Sequence, residues 1–195
     1  MKYVLPFVIG MFLCVGAKSQ INADYLADSY RINKNGMFVL SGFSIANITS
    51  SLIGLQNNNA TNTAFHQMNI GWNGVNLILG ASGLWQAYHP KNYSNATESM
   101  RFGLKTEQLF LVNAVLDIGY IAGGALVKET RYRNPSNWNQ ATGWGNAIMY
   151  NGSFLLAFDG VMYVLHHHHN KKIWNAMQQI QLGYLPNGFN LSVKF

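Results

Sequence analysis

Charged residues are scarce in this sequence. Lysine, arginine, aspartate and glutamate make up 10% of the 195 residues, whereas a typical soluble domain has roughly 25%. Apolar residues account for 49%, and asparagine, glycine, serine and threonine supply much of the remainder. A chain so poor in charge and so rich in small polar residues favours a membrane bundle with close helix contacts over an ordinary soluble domain.

Cysteine and the familiar catalytic motifs are also missing. The only cysteine, Cys14, lies in the N-terminal leader, so we expect no disulfide in the mature chain. The sequence contains no nucleophile elbow, phosphate loop, HExxH motif or paired CxxC. The formal charge of +6 is not concentrated in a basic cluster with interleaved aromatic residues, which argues against a nucleic-acid partner.

The first residues have the three parts of an export signal. Lys2 supplies the positive start, an apolar run extends from Tyr3 to Val15, and Ala17-Lys18-Ser19 forms a small-x-small cleavage site. We therefore predict a signal peptide over residues 1–19 that is cleaved before Gln20. The alternative is an uncleaved first transmembrane helix, for which the apolar run is short.

The stretch from Phe65 to Tyr88 organises the rest of the chain. It carries no formal charge over a length that could cross a bilayer, for which about 20 residues suffice. Small and polar residues recur in it at steps of three and four, which places them on one face of a helix. These residues are His66, Asn69, Asn73, Asn76, Gly80 and Gly83. We expect that face to point inward and the apolar faces to meet lipid.

Three further uncharged or weakly charged stretches complete the predicted fold. With the first stretch they give helices over about 36–55, 65–88, 107–127 and 144–165, joined by polar loops that include residues 91–105. The fold class that this predicts is all-α, an up-and-down four-helix membrane bundle over residues 20–178. Because the helices are only moderately hydrophobic, a buried soluble bundle is the alternative.

The C-terminal residues have a different pattern. Over 179–195, two stretches of alternating apolar and polar residues flank Pro186-Asn187-Gly188, which is turn chemistry. This predicts a short amphipathic β-hairpin tail. Such a tail could add to the edge of an envelope protein partner's sheet or could cover its own bundle.

Two carboxylates fall near the middles of predicted helices. Asp117 and Asp159 are expensive at that depth, so we expect them to be paired, neutral or beside water. One interpretation is a shared site for cations or protons, and the other is a buried polar network that ties the helices together. The candidate residues for either are His66, Asn69, Asn73, Asn76, Asn113, Asp117, Tyr120, Asn151 and Asp159.

A run of histidines follows the predicted fourth helix. His166, His167, His168 and His169 lie on the side of the bundle that also receives His89. Imidazoles bind zinc, copper or nickel, so a divalent transition metal is one candidate cofactor. Four adjacent histidines cannot all face one ion on a helix, and no cysteine or nearby carboxylate completes a tetrahedral set. The alternative is a cap at the C-terminus of the helix, with no cofactor.

Three motifs together resemble a known family. They are HxMNxxWNxVN over residues 66–76, LDxGY over residues 116–120, and Phe158-Asp159. In these the chain is similar to a family of uncharacterised bacterial cell-envelope proteins with an export signal and four predicted membrane helices. The resemblance implies an architecture and no activity. It also implies that the stripe of asparagine and aspartate is a family feature.

The sequence thus predicts a non-enzymatic integral membrane protein of the cell envelope, structural or partner-binding through residues 179–195. One alternative is a small transporter or channel that uses Asp117 and Asp159 for cations or protons, and another is metal handling through the histidine run. We expect the protein to lie in a lipid bilayer. The sequence is also compatible with a homo-oligomer. A cleaved leader would place the more basic side of the bundle outside, contrary to the positive-inside rule, so the choice between inner and outer membrane stays open.

Overall fold

The computed structural model describes the backbone of residues 4–56, 59–91, 93, 95–178, 180–185 and 188–193. It contains four long helices followed by two strands. These are α1 (Val4–Gly54), α2 (Ala60–Tyr88), α3 (Ala96–Glu129), α4 (Trp138–Gln178), β1 (Ile180–Leu185) and β2 (Gly188–Val193). Two 3₁₀ turns, Thr130–Tyr132 and Pro135–Asn137, connect α3 to α4.

The helices are longer than the sequence pattern indicated. α1 begins at Val4, inside the predicted leader, and cleavage of that leader stays a prediction. α3 begins inside the predicted loop over 91–105, because Asn95 caps it by accepting a hydrogen bond from the Glu98 N–H at 2.8 Å. α4 runs beyond the predicted end at Leu165, so the histidine run lies on the helix and not after it.

The helices pack in an order that leaves one gap. α1 packs against α2, α3 packs against α4, and α2 packs against α4. A regular up-and-down bundle would also pack α2 against α3. Within the described residues the backbones of α2 and α3 make no direct contact, and this departure from the predicted packing leaves space between the two helices.

Glycines let α3 and α4 approach closely. A methyl group at Gly124 would lie 2.9 Å from the carbonyl oxygen of Gly145, and one at Gly145 would lie 2.6 Å from the carbonyl oxygen of Gly124. No real side chain tolerates backbone atoms at such distances. Small residues at these positions therefore set the distance between the two helices, as in many membrane helix pairs.

Buried polar side chains outnumber buried apolar ones in this bundle, although much of its surface is apolar. Fourteen polar and ten apolar side chains are buried among the described residues, and a compact apolar cluster is formed by Leu40, Phe110, Leu155, Phe158 and Met162. Many large apolar side chains point outward instead, among them Ile78 at 70% exposed and Leu126 at 71%. A soluble monomer rarely exposes so much apolar surface, which a lipid environment would cover.

Three helices in the described part of the chain are long and apolar enough to cross a membrane: Ala23–Gly54, Ala96–Tyr132 and Pro135–Lys172. α2 is not among them. The prediction that residues 65–88 cross the membrane therefore stays a prediction. The polar face that made α2 conspicuous also lowers its hydropathy, because three asparagines, Asn69, Asn73 and Asn76, are buried on it against the other helices.

The two strands pair antiparallel after α4. Leu182 lies opposite Leu191, and Tyr184 opposite Phe189. The predicted turn residues Pro186 and Asn187 lie outside the described residues. The role of the tail in docking a partner stays a prediction.

Candidate functional site

Several of the predicted polar residues form an amide cluster that joins three helices. Asn151 on α4 donates a hydrogen bond to Oδ1 of Asn69 on α2 at 2.7 Å, and Asn73 donates to Oδ1 of Asn151 at 2.9 Å. Asn69 also donates to Oγ of Ser51 on α1 at 2.8 Å, and His66 Nδ1 lies 3.3 Å from the same oxygen. Asn69, Asn73 and Asn151 are almost completely buried.

This cluster fits the packing interpretation of the stripe. Asn69 and Asn151 both donate and accept between helices, and Asn73 donates to Asn151, so sliding one helix along another would leave several polar groups without partners. The arrangement therefore fixes the register of α1, α2 and α4. None of these three asparagines lines the cavity described below.

The two predicted carboxylates form a second polar group, apart from the amide cluster. Asp117 on α3 and Asp159 on α4 are 2% and 5% exposed, and their carboxyl groups lie within hydrogen-bonding reach of one another. Close packing of α3 against α4 brings them together, because Gly124 lies two turns after Asp117 and Gly152 two turns before Asp159. Two carboxylates at that separation cannot both carry a charge, so they would share a proton.

The carboxyl pair lies at a cavity of about 600 Å³. The cavity occupies the space between α2 and α3, and α1 and α4 supply the remaining walls. Asn76, Asn113 and Tyr120 also line it, so four helices contribute to one site. The ring of Tyr120 on α3 packs edge-on against Trp72 on α2, with centroids 5.0 Å apart, and links the two helices across the gap.

The rim of the cavity is accessible from outside the bundle and largely apolar, with Ser82 and Gln86 as exposed polar members. Four of its lining residues expose about half or more of their surface: Val75 and Leu79 on α2, and Leu109 and Leu116 on α3. They lie on the two helices that flank the gap. The cavity therefore opens sideways, between helices, along a rim suited to acyl chains.

Apart from the contact between the two carboxyl groups, two buried polar atoms of residues that line the cavity have no hydrogen-bond partner. They are Oδ2 of Asp117 and Nδ2 of Asn76, which is 4% exposed. An unpaired polar group that is cut off from water costs about 1–3 kcal/mol. The site therefore presents one acceptor and one donor that a bound molecule could satisfy.

No basic side chain balances the acidic pair. None of the residues that line the cavity is lysine, arginine or histidine, and neither aspartate takes part in an ion pair in the described part of the chain. A single negative charge shared by the pair would thus have no counter-charge from the protein. Buried charge of this kind is stable only with a partner.

The histidines of the predicted metal site have separate partners. His166 is buried, with Nε2 3.0 Å from Oδ1 of Asn33, whereas Nδ1 of His167 lies 2.8 Å from Oε1 of Glu107. His169 stacks on Tyr25, and His168 is exposed. His89, the residue that follows α2, stacks on Trp85 of that helix, with centroids 4.1 Å apart. No three metal-ligating side chains converge in the described ranges, and metal handling stays a prediction.

A second polar cluster was not predicted from the sequence. The Tyr25 hydroxyl donates to Oδ1 of Asn170 at 2.6 Å, and Asn170 donates to Oε2 of Glu107 at 2.7 Å. These bonds join α1, α3 and α4. One sequence signal could have indicated it. Asp159, His166 and Asn170 are spaced by seven and four residues, so they lie on one buried face of α4 that continues beyond the predicted end of the helix.

Comparison with known proteins gives one match. The model of a family of unknown function (DUF6992) matches residues 39–160, more than half of the chain, and all three motifs noted in the sequence fall within that range. No curated protein and no solved structure matches.

Proposed function

The chain belongs to the family of unknown function DUF6992, and from the geometry of the cavity we propose that it is a small integral membrane protein that handles a monovalent cation or protons at Asp117 and Asp159. The observation that carries the proposal is the buried acidic pair in a cavity whose walls contain no basic residue.

The charge of the pair favours a single positive ion. Because one proton is shared, the pair holds one net negative charge in surroundings of low dielectric constant. A monovalent cation would neutralise it, and oxygen atoms of Asn76, Asn113 and Tyr120 could complete its coordination. Full protonation of both groups is the other electrically neutral state. Exchange between these two states is the elementary step of cation–proton antiport.

The membrane location is supported by the outer surface. Three helices have the length and hydropathy to cross a bilayer, and their outward faces are apolar. We place α2 within the same layer, because its buried polar groups are satisfied by neighbouring helices. We further propose export by a cleaved signal peptide to the cell envelope of a bacterium, as the leader sequence indicates.

Ion flux in liposomes tests the proposal. The purified protein would be reconstituted with an internal dye sensitive to pH, sodium or potassium. We expect flux above that of protein-free liposomes, and we expect Asp117→Asn and Asp159→Asn each to abolish it. Asp28→Asn is the matched control, because its ion pair with Arg31 is on the surface and contributes little.

Two outcomes would contradict the proposal. One is wild-type flux no greater than that of empty liposomes for protons, sodium and potassium. The other is unchanged flux in both aspartate variants while circular dichroism reports the same helix content.

A structural role is supported by a separate observation, the amide cluster around Asn69 and Asn151. In this second candidate the bundle is a scaffold, and the tail over residues 179–195 binds an envelope partner. Deletion of the tail should then remove co-purifying proteins. An unchanged set of co-purifying proteins would count against the tail as a docking element.

A further inference from the structure

We infer that the cavity binds an organic cation with an apolar tail, a primary alkylammonium, which enters sideways from the bilayer between α2 and α3. This inference rests on the proposed function, since it names the ligand class of the same acidic pair. It adds the shape, the route of entry and the chemistry of the head group.

The volume and walls of the cavity exceed what an inorganic ion needs. A space of about 600 Å³ lies in the range of pockets that hold small organic ligands. Its walls are mostly apolar and include Trp72, Phe102 and Phe158. A bare metal ion would leave this apolar volume unused, whereas an alkyl chain would fill it and bury apolar surface.

The polar atoms of the cavity fit an ammonium head group. The unpartnered Oδ2 of Asp117 can accept a hydrogen bond from an N–H donor, and the charge of that donor would balance the shared negative charge. The unpartnered Nδ2 of Asn76 can donate to an oxygen near the ammonium, such as a hydroxyl or ester oxygen. A quaternary ammonium, which has no N–H, would satisfy the charge alone.

The route of entry follows from the rim. Val75, Leu79, Leu109 and Leu116 flank the gap between two helices whose backbones do not meet. A molecule dissolved among the acyl chains could pass between these two helices into the cavity. Its head group and its tail would enter by the same opening. Trp72 and Tyr120, in contact across the gap, mark one end of this opening.

The first test uses a photoactivatable decylamine that carries a diazirine in its chain. The full-length protein in detergent would be labelled, and the modified residues would be mapped by mass spectrometry. We expect label on cavity residues such as Leu79 and Leu116, and competition by unlabelled decylamine. The decanol analogue should label them roughly tenfold to a hundredfold less, because it lacks the charge-assisted hydrogen bond.

Two variants separate binding in the cavity from partitioning into the detergent. Asp117→Asn should reduce cavity labelling by a similar factor. Leu109→Trp should narrow the opening and reduce labelling with both carboxyl groups intact. Val112→Trp is its matched control, because Val112 is exposed on the same helix but does not line the cavity. Equal labelling of the two tryptophan variants would overturn the inference.

A further competition experiment tests whether the ammonium group belongs to a bilayer lipid or to a free amine. Phosphatidylethanolamine in nanodiscs should compete with the probe if a bilayer lipid supplies the head group, whereas phosphatidylcholine should not. Absence of competition by either lipid would assign the site to a free long-chain amine.

Failure of this inference can be told from failure of the proposed function. Label spread evenly over the outer faces, including Ile118 and Leu126, would refute the alkylammonium site. If ion flux still depended on Asp117 and Asp159, the proposed function would stand with an inorganic cation or a proton as the ligand.

Discussion

The close approach of α3 and α4 predicts opposite effects for two adjacent glycines. Replacing Gly124 with alanine would place a methyl group 2.9 Å from the carbonyl oxygen of Gly145 and 2.9 Å from the amide nitrogen of Met149. A methyl group at Gly123 would meet no atom within 4 Å. The two variants make the same chemical change one residue apart, so the difference between them reports the helix contact alone.

The expected change in the free energy of unfolding follows from these distances. Ordinary contacts to carbon lie at about 3.5–4.0 Å, so α4 has to move outward by roughly 0.5–1 Å, which loses a quarter to a half of the affected dispersion energy. Overpacking of this kind costs about 1–3 kcal/mol, and alanine in a helix returns up to about 1 kcal/mol relative to glycine. We expect Gly124→Ala to lower the free energy of unfolding by about 1–2 kcal/mol, and Gly123→Ala to leave it unchanged or raise it.

Equilibrium unfolding in mixed micelles measures both changes. The fraction of denaturing detergent would be increased stepwise, and helix content would be followed by circular dichroism. The reasoning would be refuted if the two variants unfolded at the same detergent fraction, or if Gly124→Ala were more stable than the wild type.

The remaining predictions concern a buried amide and a helix cap. Asn151→Ala removes two hydrogen bonds to α2, each worth about 0.6 kcal/mol on average and up to about 1.7 in membrane proteins, so unfolding should become easier by about 1–3 kcal/mol. Ser153→Ala, an exposed control on the same helix, should stay within about 0.5 kcal/mol of the wild type in the same micelle assay. Asn95→Ala should cost about 1 kcal/mol and increase amide hydrogen exchange in the first turn of α3, whereas Thr97→Ala should not; equal exchange in both variants would exclude a capping role.

The polar face of α2 shows what the sequence pattern can and cannot predict. The steps of three and four between Asn69, Asn73 and Asn76 predicted that these residues lie on one inward face, and all three are buried. The pattern could not tell that Asn73 would bond to Asn151 while Asn76 would face a cavity. That division depends on which neighbouring helix lies opposite each turn, and helix order is a property of the whole bundle.

The helix ends and the cavity were missed for different reasons. The cap of α3 was readable as Asn95 followed three residues later by Glu98, the spacing of a capping box. The charges at Arg101 and Lys105 obscured it, because they suggested a loop. The cavity could not be predicted, since it arises where α2 and α3 fail to pack, and no local sequence pattern reports a missing contact.

Infrared difference spectroscopy tests the central claim most directly. The reconstituted protein would be exposed alternately to buffers with and without the cation that supports flux, and the carboxyl C=O band would be recorded. We predict a cation-dependent band from a protonated carboxyl group that is lost in both Asp117→Asn and Asp159→Asn and retained in Asp28→Asn. A band that persists unchanged in both cavity variants would contradict the claim that the buried pair keeps one shared proton and exchanges a second proton for a cation.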